Sequence, residues 1–178
     1  MASGRMRPRA RASVRPRRIV VRIARTELRA VDMTTKQDFT ATEWDQVLEG
    51  PPSAGMLVIT AQRGGMWRET VSMAKAYAEA RTQHGQSELL DEVVAAKPKV
   101  DHTRYHSPEE LKEQSLAHLR DAVALLREKA TPQELEDYKR FIVTLSERVA
   151  GSHKERGNEG AVSDAERAAI DSITQALG

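Results

Sequence analysis

Cysteine is absent from all 178 residues. Disulfides, thiolate metal sites and a cysteine nucleophile are therefore excluded, and a reducing compartment suits the chain. Aromatic residues are scarce, at 4%. A core must then be assembled from Leu, Val, Ile, Ala and Met, which suits packed helices. Long apolar runs are missing: the longest, AGMLVITA over 54–61, falls far short of the roughly 20 residues that a membrane span requires. Nothing leans toward strand except Val58, Ile59 and Thr60, too short a run to build a sheet. No acidic residue precedes Glu27 and no lysine precedes Lys36. Arginines break up any apolar stretch there, so the pattern is not a secretory signal.

What is present is divided by charge. Residues 1–32 carry ten Arg against Glu27 and Asp32, a net +8; the other 18 Lys+Arg and 24 Asp+Glu give −6 from Met33 onward. The basic balance of the whole chain comes from the first segment alone, and an acidic body argues against a broad nucleic-acid surface there. The expected organisation is a disordered Arg-rich segment over 1–32 and an α-helical domain over 39–178. Arg without Lys, among Ala, Pro, Gly and Val, is also what GC-rich upstream DNA translates to, so Met33 is read as the start of translation. If the segment is a genuine arm, Arg15, Arg17, Arg18 and Arg22 are its contacts to nucleic acid or acidic lipid. Such binding has no sequence preference and a strong salt dependence. A transit peptide is the remaining reading.

Helix starts are legible in the body. Thr40-Ala-Thr-Glu43 is a capping box, flanked by Phe39 and Trp44 as a hydrophobic staple. Ser107-Pro-Glu-Glu110 and Thr131-Pro-Gln-Glu134 repeat the box with Pro at the first helical position, where a missing N–H costs nothing. Ser163-Asp-Ala-Glu166 is a fourth box, and Ser87 caps a helix over 88–96. Leu116, Leu119, Val123, Leu126 and Ala130 form one apolar stripe; Leu135, Tyr138, Ile142, Leu145 and Val149 form another. The fold class expected is all-α: a single bundle of six or seven helices around a long antiparallel αα-hairpin at 107–130 and 132–150. Gly50-Pro51-Pro52 is expected to separate a helix over 40–49 from a buried one over 53–62. A further helix covers 66–83, with Met66, Val71, Met73, Ala74, Tyr77 and Ala78 as its apolar positions. The last covers 164–177, with Ile170, Ile173 and Leu177 inward.

Phe39-Thr-Ala-Thr-Glu-Trp44, then Leu48-Glu-Gly-Pro-Pro52, then Ala54-Gly55, resembles a group of uncharacterised bacterial proteins with the pattern F-T-x-x-E-W, L-x-x-x-P, A-G. Their closing V-S-x-A-E helix is similar to Val162-Ser-Asp-Ala-Glu166 here. The resemblance implies a small all-helical bacterial protein over about 39–178. It brings no established activity, and the segment before Met33 lies outside it.

No coherent catalytic set emerges. His102 and His106 are the metal candidates, because imidazoles four apart share a helix face; Asp101, Glu109 and Glu110 could add oxygens. The segment precedes the cap at Ser107, so a solvated loop is the plainer reading. Glu-x-x-His is absent, which disfavours ferritin-like di-iron sites. Gln62-Arg-Gly-Gly65 before a helix can bind an anion through backbone amides, but it lacks the P-loop pattern and reads as a turn. Ser53-Ala-Gly55 is not a nucleophile elbow. His118 reads as a boundary histidine, and His153 lies in a polar glycine-rich link. Acidic pairs such as Glu134/Glu136 read as dipole partners or exposed solvating groups. Arg63, Trp67 and Arg68 are the candidate interaction residues.

The expected function is a cytoplasmic, non-enzymatic protein-interaction module with no cofactor, no membrane span and an unidentified protein partner. Its groove is expected between the 53–83 helices and the hairpin. The alternatives are a nucleic-acid-associated protein using the basic arm, and a small metal- or ligand-binding stress protein with an architecture like the tellurite-resistance TerB family.

Overall fold

Thr35 opens a short 3-10 turn, Lys36–Asp38, by a capping box with Asp38. The computed structural model describes residues 33–61, 66–82, 87–96, 98, 104–151 and 162–178, with backbone alone at 66–70 and 72. The chain divides into residues 1–32 and 33–178; the expected disordered segment, with Arg15, Arg17, Arg18 and Arg22, lies outside the described residues. Those described form six α-helices and no strand. They are α1 (Ala41–Ala61), α2 (Met66–Thr82), α3 (Glu88–Ala95), α4 (Pro108–Lys129), α5 (Pro132–Gly151) and α6 (Asp164–Leu177). None is long and apolar enough to cross a membrane.

The caps form much as the spacing requires. The Thr40 N–H donates to Glu43 Oε2 at 2.7 Å and the Glu43 N–H returns to Thr40 Oγ1 at 3.3 Å. Phe39 and Trp44 pack with ring centroids 5.6 Å apart. Lys129, at the end of α4, donates to Glu43 at 2.7 Å and to the Asp38 carbonyl at 3.2 Å. Its Nζ also sits 5.5 Å from the centre of the Phe39 ring. The Lys129 hydrogen bond, aided by the Thr40 N–H, brings the Glu43 carboxyl down to about 2. The boxes at Thr131 and Ser163 close in both directions. At Ser107 only half a box forms: Ser107 Oγ accepts from the Glu110 N–H, while the Glu110 carboxylate turns to the N–H of His106.

Gly50, Pro51 and Pro52 do not end a helix. They lie inside α1, which runs unbroken over the two helices expected from the sequence. A proline at 51 deletes the N–H that would reach the carbonyl of residue 47, normally a costly loss. Here the Tyr138 hydroxyl on α5 donates to that carbonyl, at 2.7 Å and out of solvent. Gly50 makes the approach possible, since a Cβ at this position would lie 2.2 Å from the Tyr138 oxygen. Burial holds Tyr138 well above the ordinary phenol range, so the group stays a donor.

This changes the centre of the fold. α1 makes broad contacts with α4 and α5, whereas α4 and α5 touch each other less, though only Ala130 and Thr131 separate them. The twelve buried residues of α1 include Val47, Ala54, Leu57 and Val58. The expected stripes of α4 and α5 turn inward, with Leu119, Val123, Leu126, Leu135, Tyr138, Ile142, Leu145 and Val149 buried. On α2 the buried face is Met73, Ala76 and Tyr77; Val71, Ala74 and Ala78 are exposed instead. Gly55 lets α2 come close, because a Cβ there would meet Met73 Cε at 2.3 Å. Ile173 and Leu177 of α6 are buried, and Ile170 is partly so.

Candidate binding site

One face of α5 repeats at helical spacing: Asp137, Arg140, Phe141, Thr144, Leu145 and Arg148. Together with Ala76, Glu79 and Ala80 of α2, and with Ser87, Leu90 and Asp91 at the start of α3, it lines a cavity of about 390 Å³. That volume lies within the range of small-ligand pockets, and it would also receive one or two side chains. The floor is apolar. Phe141 is fixed by Tyr77, whose ring meets it edge-on at 5.3 Å between centroids. Leu90, Leu145 and Ala80 continue the surface. Charged groups share the lining: Arg148 pairs with Glu79 and Arg140 with Asp137, and Asp91 stands with them.

Asp137 is unusual within this wall. Its side chain is only 4% exposed, and both of its hydrogen bonds fall on a single oxygen. Oδ1 accepts from Gln133 Nε2 at 3.0 Å and from Arg140 at 3.1 Å. Oδ2 is buried and has no hydrogen-bond partner. A buried polar atom left unmatched is destabilising by about 1–3 kcal/mol, more when charged, so each case asks for an explanation. The other such side-chain atom among the described residues, Ser115 Oγ, does not line this cavity. Nothing in the sequence singled out Asp137. It lies beside the apolar stripe of α5 rather than on it, where a carboxylate breaks no pattern.

The residues proposed from sequence are placed differently. Arg63 and His102 lie outside the described residues, as do His153 and the turn at 62–65. Trp67 and Arg68 fall in the first turn of α2, whereas the cavity uses Ala76, Glu79 and Ala80 farther along that helix. His106 is exposed and precedes α4. Among the described residues, no three His, Asp or Glu side chains converge to hold a metal. Glu134 sits at the helix start as the capping-box partner of Thr131, and there it is buried rather than solvating the surface. Burial pushes its carboxyl up, but hydrogen bonds from Thr131 and Thr34 outweigh that and hold it below the ordinary range.

His118 joins a second polar cluster between α1 and α4. Ser53 Oγ and His118 Nδ1 are 3.1 Å apart, His118 Nε2 lies 3.6 Å from Glu49, and Glu49 meets Arg104 at 2.8 Å. The set shares only its composition with a serine–histidine–carboxylate relay. Ser53 sits within a continuous helix and is nearly enclosed. Backbone N–H groups there are committed to the helical ladder and do not form an oxyanion hole. The cluster ties two helices together across their polar edge.

No protein-family model matches the chain, and neither curated proteins nor solved structures give a match. The motif resemblance of residues 39–55 and 162–166 therefore has no family match beside it.

Proposed function

We propose that residues 33–178 act as a non-enzymatic protein-interaction module whose α2/α3/α5 cavity receives a basic side chain from its partner. The observation that carries this reading is a cavity in which Phe141, Leu90 and Leu145 stand beside the acidic residues Glu79, Asp91 and Asp137, the last with one buried oxygen, Oδ2, that has no hydrogen-bond partner. A Lys or Arg side chain has the two parts such a place calls for. Its methylene stem lies on Phe141, Leu90 and Leu145, and its cation, beside Arg140 on Oδ1, supplies a donor to Asp137 Oδ2 once the side chain turns that buried oxygen toward the cavity. The long-range charge agrees, because the chain carries a net −6 from Met33 onward and such a field favours the approach of basic segments. The lack of cysteine suits the cytoplasm as the setting.

The test uses short acetylated, amidated peptides with one central Lys or Arg, and a control peptide with norleucine there. Binding is followed by NMR at Leu90, Phe141 and Ala76. The Lys and Arg peptides are expected to give saturable shifts and the norleucine peptide none. Asp137→Asn should weaken binding at least tenfold, since a hydrogen bond to a charged group is worth about 1.5–3 kcal/mol. Equal binding of the norleucine peptide, or undiminished binding to the Asp137→Asn protein, overturns the proposal.

A further inference from the structure

Glu134 is a second buried carboxylate, one turn before Asp137 on α5. Its carboxylate is 3% exposed and accepts four hydrogen bonds, all from neutral donors: the N–H and Oγ1 of Thr131 at 2.9 and 2.8 Å, and the N–H and Oγ1 of Thr34 at 2.8 and 2.7 Å. Among the described residues no Lys or Arg pairs with it, although Lys129 is near enough for its carbonyl to take a second, longer contact from Thr34 Oγ1. The α5 N-terminus supplies partial positive charge, but a buried carboxylate ordinarily has a full cation beside it.

Of the four donors, one can become that cation. The nitrogen of Thr34 is 2.8 Å from Glu134 Oε1, and Thr34 itself is buried whereas the preceding Met33 is 41% exposed. Met33 is also where the composition changes from arginine-rich to acidic and where the second structural unit begins. A methionine followed by a residue as small as threonine is the sequence that methionine aminopeptidases trim from a new chain.

We propose that the protein is made from Met33, that Met33 is removed, and that the α-ammonium of Thr34 is the missing counter-charge of Glu134. The step is a hydrolysis. Water adds across the Met33–Thr34 peptide bond, the C–N bond breaks, free methionine leaves with the new carboxylate, and Thr34 keeps an amine that takes up a proton. The N–H···O contact then becomes a charge-assisted bond at unchanged distance, which is the stronger kind. It locks the first residue of the chain onto the turn between α4 and α5.

The experiment begins with the untagged gene, expressed with its own upstream DNA in its own host, and the intact mass of the product. The expected mass is that of residues 34–178 with a free amine. A mass of the full 19.8 kDa chain, a retained Met33 or an acetylated Thr34 overturns the proposal. On the same product, an amine-selective reagent at neutral pH reads the ion pair. An ammonium held by a carboxylate exposes less free amine, about tenfold less for each unit by which its pKa rises. Thr34 is expected to label about tenfold more slowly than in the Glu134→Gln protein, with the lysines unchanged. Equal labelling in the two proteins overturns the ion pair. Should Glu134→Gln fail to fold, labelling of the natural product at Thr34 as fast as in a denatured control does the same.

Discussion

Pro51 removes the donor for the Val47 carbonyl, and the Tyr138 hydroxyl takes over that acceptor. Three residues then act as one device: Pro51 creates the need, Tyr138 meets it, and Gly50 clears the path. Tyr138→Phe should cost about 1–3 kcal/mol, the usual penalty for leaving one buried partner unmatched. Gly50→Ala would gain up to about 1 kcal/mol in an open helix, yet here its methyl meets the hydroxyl oxygen, and overpacking of that kind costs about 1–3 kcal/mol. Removing the hydroxyl removes the closest clash, leaving ring carbon Cζ at 3.3 Å as the nearest neighbour. The two substitutions should therefore be non-additive, with Gly50→Ala less damaging in the Tyr138→Phe background than alone. Urea unfolding of the four proteins measures this coupling; additive losses within about 0.5 kcal/mol would count against the device.

At the scale of elements, local chemistry was read well and long-range compensation was not. The capping boxes at Thr40, Thr131 and Ser163 involve residues three apart, and each is visible in a four-letter window. The α5 stripe follows from periodicity alone, and all five of its positions are buried. The Gly50-Pro51-Pro52 break was misread because its remedy lies 91 residues away, on another helix. The cavity was hidden for a similar reason: Ala76, Leu90 and Phe141 become neighbours only after three helices pack. The caps themselves differ in weight. Ser163 closes its box with Glu166, which is 2% exposed, while Ser107 holds one N–H and its partner Glu110 turns elsewhere. Ser107→Ala should cost about 1 kcal/mol, and Ser163→Ala should lie at or above the 2 kcal/mol upper end for a cap, because it also strips a donor from a buried carboxylate. Denaturant midpoints order the two; a larger loss for Ser107→Ala would contradict this reading of the boxes.

For the whole molecule, acid brings two opposing effects. The body is acidic, so protonating its five histidines and the first few carboxylates relieves its self-repulsion, whereas further protonation leaves the 18 Lys+Arg in excess and the repulsion returns with the opposite sign. Against the initial relief stand Glu43 and Glu134, both held below the ordinary carboxylate range in the fold. The first links α1 to the end of α4 through Lys129, and the second links Thr34 to the start of α5. For a group depressed on folding, the stabilisation is complete above its unfolded value and disappears as pH falls through its folded value. For Glu43 that window runs from 4.5 down to about 2. The repulsion is spread over a surface screened beyond about 8 Å at physiological ionic strength, while each of these carboxylates holds its partners at hydrogen-bond distance. The local links should therefore win in 0.15 M salt. Urea midpoints are expected to stay level from pH 7 to 5, then fall steadily toward pH 3, and Glu43→Gln should flatten part of that fall. At low ionic strength the repulsion between the Lys and Arg charges that remain once the carboxylates are protonated is less screened, so the acid slope should be steeper. A midpoint that climbs on acidification in 0.15 M salt would show that the net charge of the body, not its buried and bridged carboxylates, governs its stability.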